Sequence, residues 1–214
     1  MASIALFGAT GMIGSRIMRE ALERGHRLLA VTRDPSRLEP GPDLVVDQGD
    51  VTRVEDVVEA VRGQDVVISA VGGGDGPGHE RLMVPATKAL IAGIRDTDRT
   101  IRFIMVGGAG SLRLPDGTQL WDSPDVPDAA LQIMRSHGDA LAFLRTVSDV
   151  AWVNISPSAQ IAPGERTAAY RTASEDLLMD AEGASRISAE DYAVAVLDEV
   201  ENSTHFQERF TVGY

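Results

Sequence analysis

The chain has 214 residues, a formal net charge of −12, 43% hydrophobic residues and 24% charged residues. This length supports one buried core, and the acidic charge excludes a general affinity for nucleic acid because phosphates would be repelled. Cysteine is absent, which excludes disulfides, thiolate catalysis and cysteine-based metal sites.

Short apolar runs alternate with amphipathic stretches up to residue 157. The runs are rich in Val, Ile and Leu and are bounded by turn residues, which is typical of parallel strands covered on both faces. This alternation predicts an α/β fold of the Rossmann type, with a doubly wound parallel sheet. The predicted strands lie at residues 3–7, 27–32, 44–47, 65–70, 101–106 and 150–155, and the predicted helices at 12–24, 53–61, 79–95 and 128–147.

The alternation changes after Pro157. Ser188, with Asp191 three residues later, is typical of a capping box at the start of a helix. The predicted elements are short strands near residue 170 and at 177–179, a helix from 189 to about 201, and a last strand at 210–212. Because this part is too small for its own core, we predict one domain over residues 1–214, in which residues 158–214 form a small cap over the carboxyl edge of the sheet.

The cellular location of the protein is predicted from the length and flanking charges of its apolar segments. The first residues, MASIALFGAT, lack a basic lead and are predicted to form a strand, not a signal peptide. No apolar run approaches the roughly 18 residues that a membrane span needs. We therefore expect a cytoplasmic protein that interacts with neither membranes nor nucleic acid and whose partner is a small molecule.

A glycine-rich turn, GATGMIG at residues 8–14, joins the first predicted strand to the first predicted helix. Gly8 allows a tight turn, Gly11 lets the backbone approach a pyrophosphate, and Gly14 allows the helix to pack closely on the strand. The helix start then offers free N–H groups to the phosphates. The turn predicts a dinucleotide site whose phosphate contacts are Gly8, Thr10, Gly11, Met12 and Ile13.

The glycine spacing resembles that of the extended and atypical branches of the short-chain dehydrogenase superfamily. The motifs that extend this resemblance are GDV at residues 49–51, SAVG at 69–72, VGGAGSL at 106–112, ISPS at 155–158 and RFTVGY at 209–214. The chain is similar to small NAD(P)H-binding proteins of the NADH-flavin reductase type and, more distantly, to biliverdin reductase B. The further cofactor contacts that the resemblance implies are Asp50, Val51, Ala70, Val71, Gly72, Gly107, Gly108, Pro157 and Ser158.

The end of the second strand distinguishes NAD from NADP. NAD sites usually end this strand with an acidic residue that binds the ribose hydroxyl. Here the strand ends at Arg33, which is placed to pair with a 2′-phosphate, and Arg37 follows within reach. Asp34 precedes a proline and is expected to cap a short turn. These residues favour NADP(H) over NAD(H). The alternative is that both arginines are solvated loop residues.

The usual tyrosine–lysine proton relay of the superfamily is excluded. The tyrosines are Tyr170, Tyr192 and Tyr214, and none has a lysine four residues later, because Lys88 is the only lysine. One hypothesis is therefore an NADPH-dependent reductase that transfers hydride to a flavin-like or other conjugated ring, so that a flavin would be a substrate. The alternative is a non-catalytic NADP(H) sensor that binds partners according to redox state.

Candidates for contact with the acceptor remain open. Ser111 and Ser158 have hydroxyl groups that either bind the acceptor or cap their own loops, and His137 is either a catalytic acid or a surface residue. Trp121, in the loop at 116–127, either stacks on a flat acceptor or anchors the loop. The four histidines are scattered without ligand spacing, so no metal site is expected.

Overall fold

A computed structural model of the chain describes residues 1–97, 99–124 and 126–214. The strands in these residues are β1 (Ser3–Phe7), β2 (Arg27–Thr32), β3 (Leu44–Gln48), β4 (Val66–Ser69), β5 (Arg102–Val106), β6 (Ala151–Pro157), β7 (Gln160–Ala162), β8 (Arg171–Ala173), β9 (Arg186–Ser188) and β10 (Glu208–Gly213). The α-helices are α1 (Met12–Glu23), α2 (Val54–Val61), α3 (Gly76–Arg95), α4 (Asp128–Leu144) and α5 (Ala189–Asn202).

Eight strands form the main sheet, in the order β3-β2-β1-β4-β5-β6-β10-β8. Among the described strands of this sheet, only β8 runs antiparallel to its neighbour. The winding reverses beside β1, which confirms the predicted doubly wound α/β fold. Side chains of β1 alternate between two cores: Ile4 and Leu6 pack with α1 and α5, whereas Phe7 packs with α2, α3 and α4. Burial on both faces explains why the strands are continuous apolar runs.

The C-terminal part contributes directly to the sheet instead of lying over its edge as the expected cap. β10 pairs in parallel with β6 and antiparallel with β8, and α5 packs against α1. The strand expected near residue 170 is β8, but the one expected at 177–179 does not form, because the Leu177 N–H group donates to the carbonyl of Arg113 at 2.8 Å in a loop contact. β7 and β9, which were not predicted, pair in a separate two-stranded sheet.

The start of α5 was predicted from its sequence. Ser188 precedes the helix, and its hydroxyl oxygen accepts the Asp191 N–H group at 2.9 Å. The Asp191 carboxylate does not complete a capping box with the N–H group of Ser188, because it accepts hydrogen bonds from Thr167, Ala168 and the Tyr214 hydroxyl.

No helix among the described residues is long and apolar enough to cross a membrane.

Candidate functional site

A cavity of about 440 Å³ opens at the carboxyl ends of β1 to β4. This position is the crevice beside the reversal of strand order, where doubly wound sheets bind ligands. The lining residues come from the ends of these strands and the turns after them, together with α3: Phe7, Gly8, Thr10, Gly11, Val31, Thr32, Arg33, Asp34, Arg37, Gly49, Asp50, Val51, Ala70, Val71, Gly72 and Leu82.

The glycines of the first turn have different structural roles. Gly8 has φ +89°, and a Cβ atom there would lie 2.4 Å from the Ala70 carbonyl oxygen. A Cβ atom at Gly14 would lie 2.0 Å from the Gly8 carbonyl oxygen, so helix and turn pack at a distance that only glycine permits. Gly11 is unlike both, because its Cβ atom would meet only the Gly8 oxygen, at 3.4 Å, and it lines the cavity.

The start of α1 leaves N–H groups for an anion. Gly11 is the N-cap residue and supplies no side-chain hydrogen bond to the first helical turn, so these donors have no capping partner from that residue. Free N–H groups and the positive end of the helix dipole are the usual elements of a phosphate site. The turn therefore forms a cradle that any side chain at Gly11 would fill.

Two arginines and one engaged aspartate form the end of the cavity beside β2. Arg33 and Arg37 are exposed and line the cavity. The Asp34 carboxylate accepts hydrogen bonds from the N–H group of Ser36 at 3.2 Å and from its hydroxyl at 2.6 Å, and so caps the 3₁₀ turn Pro35–Arg37 as the sequence predicts. The side chains at this end are thus two guanidinium groups and a carboxylate already used within its own turn.

Asp50 stabilises the turn after β3. Its carboxylate accepts both the hydroxyl and the N–H group of Thr52, at 2.7 and 2.9 Å. These two hydrogen bonds hold the pKa of the Asp50 carboxyl below its usual value. The Asp50 N–H group in turn donates to Asp56 at 2.9 Å, which fixes this wall of the cavity to α2.

Six of the residues expected to contact the cofactor do not line the cavity. Gly107 and Gly108 allow close packing, because Cβ atoms there would lie 2.3 Å from Asn154 Oδ1 and 2.8 Å from His137 Cβ. The expected contacts outside the cavity lining are Met12, Ile13, Gly107, Gly108, Pro157 and Ser158. The lining residues not assigned to the cofactor from the sequence are Phe7, Val31, Thr32, Asp34, Gly49 and Leu82. Several adjoin assigned positions, but no local motif distinguishes Leu82 from the core residues of α3.

Both candidate serines are used in structural hydrogen bonds. Ser158 is buried and its hydroxyl donates to the Val212 carbonyl at 3.1 Å, which joins the end of β6 to β10. The Ser111 hydroxyl oxygen accepts Arg209 Nη1 at 2.8 Å. Arg209 is itself buried and paired with Glu175, so Ser111 belongs to a network that connects the loop after β5 to β10.

His137 lies at the centre of α4 and faces a second histidine. It is half-buried rather than at the surface, and its ring centroid lies 5.5 Å from that of His79 on α3. Burial, together with the nearby His79, lowers the pKa of His137 to about 4, so the ring is neutral near pH 7. Its Nδ1 atom is buried and has no hydrogen-bond partner among the described residues.

All three tyrosine hydroxyl groups donate to acceptors away from the cavity. Tyr170 donates to Asp198, Tyr214 to Asp191 at 2.6 Å, and the buried Tyr192 to the Ile155 carbonyl at 2.6 Å. Burial raises the pKa of Tyr192 far above its usual value, which disfavours the phenolate. The Lys88 ammonium lies 5.6 Å from the centre of the Phe143 ring. The arrangement therefore contains no tyrosine–lysine relay among the described residues.

Trp121 packs into a space that two glycines create. Cβ atoms at Gly110 and Gly138 would lie 3.0 and 2.5 Å from its indole ring, and the Arg135 guanidinium lies 5.7 Å from the ring centre. The indole therefore anchors its loop to α4, which is one of the two alternatives considered for it. Asp125, within the same predicted loop, lies outside the described residues.

The family model described as NAD(P)H-binding matches residues 8–201, which span the glycine turn, the cavity and most of α5. The chain belongs to this NAD(P)H-binding family. The residues fit the group that the family name implies, since the Gly11 cradle, the uncapped N–H groups of α1 and the cavity beside β1 are the elements that a dinucleotide requires. When bound, the reduced nicotinamide supplies a hydride.

Three solved structures are similar over the whole chain. The first, from Burkholderia pseudomallei, is 42% identical, covers 100% of both chains and has a TM-score of 0.89. The second, from Bacteroides thetaiotaomicron, is 39% identical, covers 100% of this chain and 97% of that one, and has a TM-score of 0.91. The third, from Streptococcus pneumoniae, is 29% identical, covers 100% and 99%, and has a TM-score of 0.88.

The provisional names of these three similar structures differ. The first is named as an exported protein, the second as an epimerase and the third as an NADH-flavin reductase. The third name belongs to the group that the glycine spacing and the later motifs resemble. The fold is common to all three, whereas the reaction has to be argued from the residues of this site.

Proposed function

We propose that the chain is an NADPH-dependent reductase that transfers hydride to a flat, conjugated acceptor of the flavin type without a tyrosine–lysine relay. The observation that carries this proposal is that an open cavity suited to a dinucleotide has no free tyrosine hydroxyl. All three tyrosine hydroxyls donate to acceptors away from it. A simple ketone needs a protein acid at its oxygen, whereas a conjugated ring spreads the added charge. The epimerase alternative is less favoured, because such enzymes also use the tyrosine–lysine pair.

The preference for NADPH over NADH follows from the side chains beside β2. A 2′-phosphate would lie where Arg33 and Arg37 line the cavity, and guanidinium groups bind phosphate with strong, charge-assisted hydrogen bonds. Asp34 does not compete as a ribose ligand, because its carboxylate accepts both polar groups of Ser36. Both features favour the phosphorylated cofactor.

The protein's own contribution to the reaction is to bind, orient and exclude water. One hydride reaches the acceptor, two electrons travel with it, and one proton enters from solvent to complete the reduced ring. Rate enhancement then depends on holding donor and acceptor about 3–3.5 Å apart.

Steady-state oxidation of NADPH tests the proposal. Lumiflavin and riboflavin are expected to be reduced, whereas a simple aldehyde and a simple ketone are expected to give no rate above background. The control is the Gly11→Val variant, which we expect to bind no cofactor. If the parent protein binds NADPH but reduces no flavin or quinone, the catalytic proposal is wrong and the sensor hypothesis is favoured.

A further inference from the structure

Two imidazole rings lie between the carboxyl ends of β4 and β5. A Cβ atom at Gly72 would be 3.2 Å from His79 Nε2, and one at Gly108 would be 2.8 Å from His137 Cβ. Gly72 also lines the cofactor cavity, so the ring of His79 lies against a residue of the cavity wall, although neither histidine is itself a lining residue. The two histidines come from different helices, α3 and α4, and their ring centroids are 5.5 Å apart.

The hydrogen bond at the start of α3 determines which nitrogen of His79 carries the proton. His79 Nδ1 lies 2.9 Å from the Asp75 carbonyl oxygen. A carbonyl oxygen only accepts hydrogen bonds, so Nδ1 carries the proton and donates it. In the neutral ring the other nitrogen, Nε2, is consequently an acceptor, and it points toward Gly72.

His137 contributes an unpaired ring nitrogen from α4. A neutral imidazole always has one N–H donor and one acceptor nitrogen, and the low pKa of His137 keeps its ring neutral. Its Nδ1 atom is buried without a partner among the described residues. Buried polar atoms in native proteins nearly always have a partner, which makes this nitrogen a candidate for a hydrogen bond with a bound ligand.

We propose that His79 and His137 bind the carbonyl and N–H edge of a heterocyclic acceptor, as found in the pyrimidine ring of a flavin. The inference rests on the proposed function and specifies its acceptor. His79 Nε2 accepts the ring N–H group, and His137 donates to the adjacent carbonyl oxygen. A quinone has carbonyl groups but no N–H group, so it satisfies only half of this pair.

The test compares lumiflavin with 3-methyllumiflavin, in which a methyl group replaces the proton that His79 would accept. A site that binds an N–H group discriminates strongly against an analogue lacking it, because its own acceptor is left unpaired. We expect kcat/KM of the parent protein to be at least about tenfold lower for the methylated flavin. Menadione, a quinone, is expected to show the lower efficiency as well.

Three variants connect this discrimination to the two histidines. His79→Phe is expected to reduce the preference for lumiflavin to within about twofold. His137→Phe is expected to lower kcat/KM for both flavins by roughly three- to tenfold while leaving the Kd for NADPH unchanged. The control, Asp139→Asn, changes an exposed residue of α4 and should match the parent protein.

The outcomes separate this inference from the proposed function. Equal kcat/KM values for the two flavins in the parent protein overturn the inference, and this comparison requires no variant to fold. If neither flavin is turned over, lumiflavin fluorescence is titrated with protein saturated with NADP⁺. Tighter binding of lumiflavin than of its methylated analogue then supports the histidine pair although the reductase proposal has failed. Equal or undetectable binding rejects the pair as well.

Discussion

Replacing Gly11 with valine should abolish NADPH binding while the chain stays folded. The backbone at Gly11 has φ −80° and ψ 171°, an extended conformation that valine adopts readily. The new Cβ atom would meet only the Gly8 carbonyl oxygen at 3.4 Å, so the folded protein can accommodate it. The rest of the side chain would occupy the cavity where phosphate oxygens must approach the N–H groups of α1.

The magnitudes of the two effects differ enough to be separated. Valine is a poorer N-cap residue than glycine by about 1 kcal/mol, and the loss of glycine's freedom in the unfolded chain offsets roughly 0.4–1 kcal/mol of this. The free energy of unfolding should therefore change by less than about 1 kcal/mol. Loss of two charge-assisted hydrogen bonds to phosphate, at roughly 1.5–3 kcal/mol each, weakens binding by at least about 100-fold.

Two measurements on the same variant decide the matter. Urea unfolding followed by far-UV circular dichroism gives the stability, and titration of NADPH fluorescence gives the Kd. Gly41→Val is the matched control, because Gly41 lies in an exposed loop where a Cβ atom meets only Leu44 Cβ at 4.0 Å. The reasoning is refuted if Gly11→Val binds NADPH within threefold of the parent protein while the control behaves normally.

Three further outcomes are expected. Arg33→Ala should reduce the preference for NADPH over NADH by about tenfold while leaving the Kd for NADH unchanged, and equal affinities in the parent protein, measured by calorimetry, would contradict this. Tyr192→Phe should lower the free energy of unfolding by about 0.5–1.5 kcal/mol with little change in NADPH oxidation, because its hydroxyl donates to the Ile155 carbonyl, which also accepts the Gly107 N–H group. Below pH 6.5 the unfolded chain protonates His137, whereas the folded chain, in which burial and the facing His79 lower the pKa of His137 to about 4, does not. Stability should thus fall from pH 6.5 to pH 4 by about 3 kcal/mol more in the parent protein than in His137→Phe, and identical pH profiles would disprove the assignment.

The fold was predictable because its signals are local. The apolar runs of the central strands β1, β4, β5 and β6 are buried on both faces, so their positions could be predicted from continuous Val, Ile and Leu segments. Helix α5 was predictable in the same way, since Ser188 caps it as expected. Helix α2 begins at Val54, one residue after its predicted start, and the Thr52 hydroxyl before it donates to Asp50.

The short C-terminal strands were harder to predict because their partners are distant in the sequence. β8 has three residues and pairs with β10, and β7 pairs with β9 about 26 residues later. Such short strands have too few residues to show an alternating pattern, and long-range pairing decides whether they form. The placement of β10 inside the sheet likewise depends on α5 packing against α1, which no local motif encodes.

The candidate site was also predictable only where its residues are placed by local sequence. Residues in the turns directly after β1, β2, β3 and β4 could be assigned to the cavity, because a strand end fixes where the next residues lie. His79 could not be identified, since its significance depends on His137, 58 positions away on another helix. Nor could the sequence assign Ser158 to a structural bond, because its acceptor, the Val212 carbonyl, belongs to β10.

The turn after β4 connects the two halves of the proposed site. Ala70 is fixed to β1, because its N–H group donates to the Phe7 carbonyl at 2.8 Å and its own carbonyl oxygen excludes any side chain at Gly8. A few residues later the chain folds tightly onto the start of α3, where a Cβ atom at Gly73 would lie 2.0 Å from the Gly78 carbonyl carbon. His79 follows at once. The cofactor wall and the histidine that we assign to the acceptor are therefore held by one short, closely packed segment. Since hydride transfer requires a fixed distance between donor and acceptor, this continuity is the physical reason why a site without a strong protein acid would still have catalytic power.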